Sequence, residues 1–202
     1  MRITGGLARG IVLDVPQKSE VRPATDFVRE RILGRLATTI QGSYVLDCCA
    51  GTGAYGLEAL SRGAKHVCFL EKNPQIAAVL QNNCKNVCKS LQSDVDSVVK
   101  IFLSDVFFFD FSGLEFPINY IFFDPPYSFW EENRAGIRNF LEKLAHVFPE
   151  SRMVIEYPSH FVWTEQMPWQ PIYPQNNRKK KYAPQVNLFQ PRSLSSFSRS
   201  LL

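Results

Sequence analysis

Residues 43–56 read SYVLDCCAGTGAYG. The short apolar run in SYVLDCC has the length of a buried strand, and the glycines that follow end it. Gly51, Gly53 and Gly56 spell G-x-G-x-x-G. That spacing lets a backbone turn sharply out of a strand, come close to a ligand and enter a helix. The helix follows as GLEALSRG, closed by Gly63, and HVCFLE (66–71) is the next strand. Asn73 then caps a helix with Pro74 in its first turn and Ile76, Leu80, Cys84 and Val87 along one side. Strand and helix alternate, which predicts an α/β fold: an open, mostly parallel sheet with helices on both faces.

The same alternation continues downstream. VVKIFLSD (98–105) and NYIFFD (119–124) are the third and fourth strands, the latter apolar enough for a parallel strand buried on both sides. A helix with Ile137, Leu141, Leu144 and Phe148 inward precedes a fifth strand, RMVIEY (152–157). WQPIYP and PQVNLF, separated by the basic NNRKKKYA, read as a closing β-hairpin, expected beside the fourth strand. Upstream, VRPATDFVRERILGRLATTI (21–40) places Val28, Ile32, Leu36 and Ile40 on one helical face, with Thr25 or Asp26 as cap. RITGGLARGIVLDVP (2–16) reads as a glycine-turned hairpin. The expected organisation is a hairpin extension over 1–20, the sheet domain over 21–190, and a Ser-rich, disordered tail over 191–202.

Composition bounds the function. The chain has 202 residues, 45% hydrophobic and 21% charged, which excludes a disordered protein over most of its length. No apolar run approaches the ~20 residues of a membrane span, and MRITGGLARG lacks the apolar core of a secretory leader. A soluble, cytoplasmic monomer is expected. Cys48, Cys49, Cys68, Cys84 and Cys88 lie in apolar patterns, and His66, His146 and His160 are scattered. Reduced cysteines acting as small hydrophobes, with no metal site, are therefore expected.

The net charge of +4 is unevenly placed. Residues 1–35 hold seven basic and four acidic groups, residues 36–170 ten and fifteen, and residues 171–202 six and none. An acidic body suits a cationic ligand, and basic ends suit a polyanion.

Glu71 ends the second strand twenty residues after Gly51, where a carboxylate can accept both hydroxyls of a ribose. This much fits NAD, FAD or S-adenosylmethionine. Asp47, at the mouth of the first strand, suits the methionyl ammonium of S-adenosylmethionine and would repel a pyrophosphate. Asp105, closing the third strand, could accept from an adenine amino group. The fourth strand runs into Asp124-Pro125-Pro126-Tyr127. Two prolines fix the loop and remove two donors. An ionised Asp124 and the Pro125 carbonyl are acceptors only, an arrangement made for a flat NH₂ group. Tyr127 could stack on a planar target.

DCCAGTGAYGLEALSRGA, LEKN and FFDPPYS resemble the motifs of class I amino-methyltransferases, which have a Rossmann-like, mostly parallel seven-stranded sheet with an antiparallel last strand. RITGGLARG followed by RPATDFVRE is more particular: it resembles the small-subunit RNA methyltransferase D family, which methylates guanine N2 in bacterial 16S ribosomal RNA. The resemblance spans roughly residues 1–190. It implies S-adenosylmethionine contacts from Asp47, Gly51, Thr52, Gly53, Glu71, Lys72 and Asp105, and a target amine held by Asp124, Pro125, Pro126 and Tyr127. It implies RNA beside Arg2, Arg9, Arg22, Thr25, Asp26, Arg29 and Glu30. Charge and resemblance together assign phosphate contacts to Arg2, Arg9, Arg22, Arg29, Arg178, Lys179, Lys180 and Lys181. The partner implied is 16S RNA in a partly assembled small subunit. Cys48-Cys49, Thr52 and Asn73 depart from the usual pattern of bulkier apolar residues, Ser and Asp.

Three other readings share parts of this pattern. A nicotinamide-dependent dehydrogenase shares the glycines and Glu71 but leaves Asp47 and DPPY unexplained. An N6-adenine DNA methyltransferase, or another RNA amino-methyltransferase, shares the DPPY loop, because both amines offer two protons. A non-catalytic RNA-binding assembly factor would have no use for acceptors aimed at an amine.

Overall fold

Buried apolar strands set the architecture. Tyr44–Asp47 (β1), His66–Glu71 (β2), Tyr120–Phe123 (β4) and Arg152–Tyr157 (β5) are buried almost throughout, as strands covered on both faces must be. The computed structural model describes residues 1–16, 26–164, 166–173 and 185–192. With Val99–Leu103 (β3), Trp169–Pro171 (β6) and Gln185–Pro191 (β7), they form one seven-stranded sheet in the order β3-β2-β1-β4-β5-β7-β6. β7 is antiparallel to both of its neighbours, and the first five strands are parallel. This is the Rossmann-like class I arrangement that the motifs imply.

The closing hairpin is one strand further out than the sequence suggests. β5 pairs with β4 from Tyr120↔Arg152 to Phe123↔Ile155, and β7 takes β5's outer edge from Met153↔Phe189 to Tyr157↔Gln185. Both edges of β4 are taken, by β1 and by β5, so the hairpin pairs instead with the free edge of β5.

Helices cover both faces. Asp26–Arg35 (α1), Ala54–Ser61 (α2) and Pro74–Ser90 (α3) place Leu33, Leu57 and Leu80 against Val45, Phe122 and Val154. A short helix, Val95–Val98 (α4), leads into β3. On the other face, Tyr127–Glu132 (α5) and Arg134–Val147 (α6) pack Trp130, Ile137, Phe140 and Leu144 on Leu46, Ile121, Phe123 and Met153. The inward stripe of α1 is Arg29, Ile32 and Leu33, continued by Leu36 and Ile40, while Val28 is only half-buried.

Residues 1–16 double back on themselves. Ile3 N–H donates to the Ile11 carbonyl, Gly10 N–H to that of Ile3, and Arg2 bridges Val12 antiparallel. Ile3, Ala8 and Leu13 join the main core. Glu58 on α2, fully buried, fastens this segment by accepting from the Thr4 amide (2.8 Å), the Thr4 hydroxyl (2.6 Å) and Arg62 (2.9 Å).

Gly56 marks how closely α2 approaches β2. A Cβ there would overlap the Phe69 ring and stand 2.8 Å from Val67 Cγ1. Overpacking costs about 1–3 kcal/mol, and alanine's better helix propensity returns about 1 kcal/mol. Overlap with a buried ring belongs at the upper end of that cost, so Gly56→Ala should lower the urea midpoint by the equivalent of about 2 kcal/mol. An unchanged midpoint would show that the helix can lift off the strand freely.

Candidate active site

The carboxyl ends of four parallel strands carry four carboxylates, Asp47, Glu71, Asp105 and Asp124. Gly51 and Gly53 take positive φ, 54° and 88°, so the chain can turn from β1 into α2 within a few residues. The amide of Gly56, in the first turn of α2, donates to Asp47 Oδ2 at 2.9 Å, as suits a carboxylate at a helix N-terminus. Asp47 is thus buried beneath the loop. Burial pushes its pKa up to about 7, the Gly56 bond opposes this and the charge of Glu71 adds to it. Among the described residues no cation pairs with Asp47.

Glu71 accepts from the Gly51 amide at 2.9 Å and the Asn73 amide at 2.8 Å. A carboxylate offers about four acceptor positions, so the two bonds fix its orientation and leave capacity for ribose hydroxyls. Asp105 accepts from the Phe107 amide at 3.0 Å, and its other oxygen lies 3.8 Å from Lys72 Nζ. Lys72 also lies 4.7 Å from the centre of the Phe129 ring, which meets Phe107 edge-on. Asp105, Lys72, Phe107 and Phe129 therefore form one contacting cluster just beyond the end of β3. Thr52 is buried under the loop, its carbonyl bonded to Asn83 Nδ2 at 3.0 Å.

β4 delivers the DPPY loop. Asp124 is half-buried and makes no hydrogen bond or ion pair among the described residues, and the Pro125 carbonyl accepts no hydrogen bond among them. The Pro126 carbonyl is used by the Phe129 amide, which starts α5. Burial raises the pKa of Asp124 well above the usual carboxylate range, Glu156 and Asp47 push in the same direction, and Arg29 opposes. Tyr127 opens α5, its hydroxyl donating to Glu156 Oε1 at 3.1 Å.

The fold brings Asp47, Gly51, Gly53, Glu71, Asp105 and Asp124 to one end of the sheet. Of the expected phosphate contacts, Arg2, Arg9 and Arg29 lie among the described residues. Arg29 is fully buried, donating to Asp26 Oδ1 at 2.7 Å and to the Arg2 carbonyl at 2.9 Å. It cannot reach a phosphate from there, and its charge is spent inside the acidic cluster. Arg2 and Arg9 are on the surface, Arg2 within 4.0 Å of Asp26. Arg22, Thr25, Arg178, Lys179, Lys180 and Lys181 lie outside the described residues. The sequence reading missed Glu156 and Tyr55. Tyr55 stacks on Phe122 at 5.3 Å and donates to Glu156 Oε2 at 3.2 Å. A glutamate in an otherwise apolar strand was the available signal.

The family model described as conserved hypothetical protein 95 matches residues 1–189. The chain belongs to that family. The small-subunit RNA methyltransferase D resemblance is borne out by relatives of that name. The Escherichia coli protein named ribosomal RNA small subunit methyltransferase D is 38% identical over 127 residues, 63% of this chain and 60% of that one. The Haemophilus influenzae protein of the same name is 37% identical over 130 residues, covering 64% and 65%. The matches thus span a little under two thirds of these relatives. Among solved structures, yhhF from Escherichia coli, described as a proposed methyltransferase, superposes with a TM-score of 0.70 at 27% identity, covering 95% of this chain and 98% of that one.

Proposed function

We propose that this protein transfers a methyl group from S-adenosylmethionine to the exocyclic N2 amine of a guanine in 16S ribosomal RNA. The observation that carries the reading is the Asp124 carboxylate beside the Pro125 carbonyl, neither with a hydrogen-bond partner among the described residues, at the same end of the sheet as the buried Asp47. The names of the family relatives support ribosomal RNA as the substrate. The remaining parts of the proposal are a partly assembled small subunit as partner, a cytoplasmic location and a monomeric enzyme.

The residues present fit the cofactor. Bound S-adenosylmethionine supplies an electrophilic methyl group on a sulfonium. Asp47 would face its ammonium through the glycine loop, Glu71 would hold the ribose hydroxyls and Asp105 the adenine amino group. Gly51, Thr52 and Gly53 shape the turn over which it would lie, with Lys72 beside Asp105. Asp124 and the Pro125 carbonyl would each accept a hydrogen bond from one N–H of the target amine. These two bonds turn the nitrogen lone pair, otherwise conjugated into the purine ring, towards the methyl carbon. Pro126 fixes the loop, and Tyr127 bounds the pocket. Aligning amine and methyl group supplies the remaining acceleration.

The test is mass spectrometry of nucleosides from 16S RNA of a strain lacking this gene. One N2-methylguanosine should be missing, and the purified protein with S-adenosylmethionine should restore it on small subunits from that strain. No change in the nucleosides would refute the reading.

Glu71→Ala should weaken S-adenosylhomocysteine binding by about 2 kcal/mol, from lost charge-assisted hydrogen bonds to the ribose. Isothermal titration measures this directly, and an unchanged dissociation constant would remove Glu71 from the cofactor site.

A further inference from the structure

We infer that Glu156 selects guanine by accepting the N1–H of the target base beside the amine held by Asp124. The inference rests on the methyltransferase reading above and adds to it a residue that reads the base. A DPPY loop alone cannot tell guanine N2 from adenine N6, because either amine satisfies two acceptors.

The placement follows from the sheet. β4 and β5 are parallel and in register at Phe123↔Ile155, so the next positions along the strands, Asp124 and Glu156, lie side by side. They also share a face. Phe122 and Val154, two residues earlier on each strand, belong to one apolar cluster, and side chains two apart on a strand point the same way. Asp47 lies on this face too, through Val45.

Glu156 is 5% exposed and is held from both sides. Tyr55 donates to one oxygen at 3.2 Å and Tyr127 to the other at 3.1 Å. Burial, with the charge of Asp124, raises the Tyr55 pKa, so its hydroxyl remains a donor. Glu156 therefore stands fixed as an acceptor, and each oxygen keeps a further lone pair. Tyr127 belongs to the DPPY loop, so the same bond joins Glu156 to the element that holds the amine.

Structure alone does not call for a carboxylate here. A glutamine could accept from a phenol, and an apolar side chain would continue the strand's own pattern. Two buried carboxylates side by side repel each other; burial raises the pKa of Glu156, and only in part do its hydrogen bonds and Arg29 offset this. An edge rich in N–H groups relieves the strain. Guanine offers N1–H directly beside N2–H₂, a continuous row of donors. Adenine offers N6–H₂ beside the N1 lone pair, which would face a carboxylate lone pair.

The experiment uses 16S RNA with either guanine or 2-aminopurine at the modified position, assembled into small subunits. 2-Aminopurine keeps the C2 amine and lacks N1–H. The wild-type protein should prefer guanine by at least about 100-fold in kcat/KM, since a site built around a donor rejects the analogue without it. Glu156→Gln can turn its amide towards the N1 lone pair, and the preference should shrink to within about tenfold. A merely structural role would slow both substrates equally and leave the ratio unchanged, which would overturn the inference. Wild-type protein that accepts both bases equally would overturn it as well, whatever the variant does. Failure of the wild type to methylate guanine at all would instead refute the methyltransferase reading.

Discussion

Asp124→Ala is expected to reduce methyl transfer by at least about 100-fold while S-adenosylhomocysteine affinity stays within a few-fold of wild type. The two acceptors of the DPPY loop have separable roles. The Pro125 carbonyl survives the substitution, and Asp124 supplies the charged bond once the N–H donors of the bound amine favour its ionised form. A hydrogen bond to a charged group contributes about 1.5–3 kcal/mol, and each 1.36 kcal/mol on the barrier is about tenfold in rate. Loss of the bond, together with the lost orientation of the lone pair, accounts for a decrease of this size. Unfolding is not expected to confuse the result. Asp124 makes no hydrogen bond or ion pair among the described residues, and burial beside Glu156 and Asp47 already disfavours its ionised form. Alanine removes that repulsion, so the variant should melt no earlier than wild type. Turnover above about 1% of wild type on small subunits would show that Asp124 does not hold the amine.

The parts of this molecule legible in the sequence are those set by local chemistry. Gly51 and Gly53 announce their turn because the backbone takes positive φ there, Gly56 because α2 lies against Phe69, and Asn73 announces α3 because its side chain accepts from the Gln75 and Ile76 amides. The hairpin's position was not legible. Which edge β7 takes depends on β5 competing for β4 through residues far apart in the chain. Helix α1 shows a subtler limit. A 3.6-residue period fits both the 28/32/36 stripe and the 29/32/33/36 stripe, and polarity favours the first. Arg29 is drawn inward by Asp26, by the Arg2 carbonyl and by the charges of Asp124 and Glu156, none of which periodicity can reveal. Glu156 was hidden for the same reason: on β5 its inward direction becomes meaningful only when β4 and Tyr55 stand beside it.

Asp47→Asn should stabilise the ligand-free protein and weaken its hold on the cofactor. Asparagine keeps an acceptor for the Gly56 amide and removes the buried charge. In the folded protein Asp47 retains its proton up to about pH 7, whereas in the unfolded chain it loses it near the ordinary value of 3.8. Between those values the native state binds the extra proton, so its stability falls as pH rises and the loss is complete above about pH 7. Three pKa units at 1.36 kcal/mol each make this about 4 kcal/mol. The variant's gain in urea unfolding should thus be largest at pH 8, about 4 kcal/mol, and fall to roughly half of that at pH 5.5. Asp124 and Glu156, whose pKa values are also raised, bend the wild-type curve in the same direction and remain in the variant. On the proposed reading the cofactor's ammonium pairs with Asp47, so wild-type affinity for S-adenosylhomocysteine should rise about tenfold from pH 6 to pH 8 as the carboxylate ionises. In Asp47→Asn this part of the pH dependence should vanish along with the tighter binding. An equal stability gain at both pH values would show that the buried charge is not its source. A cofactor affinity independent of pH in the wild type would place the ammonium elsewhere.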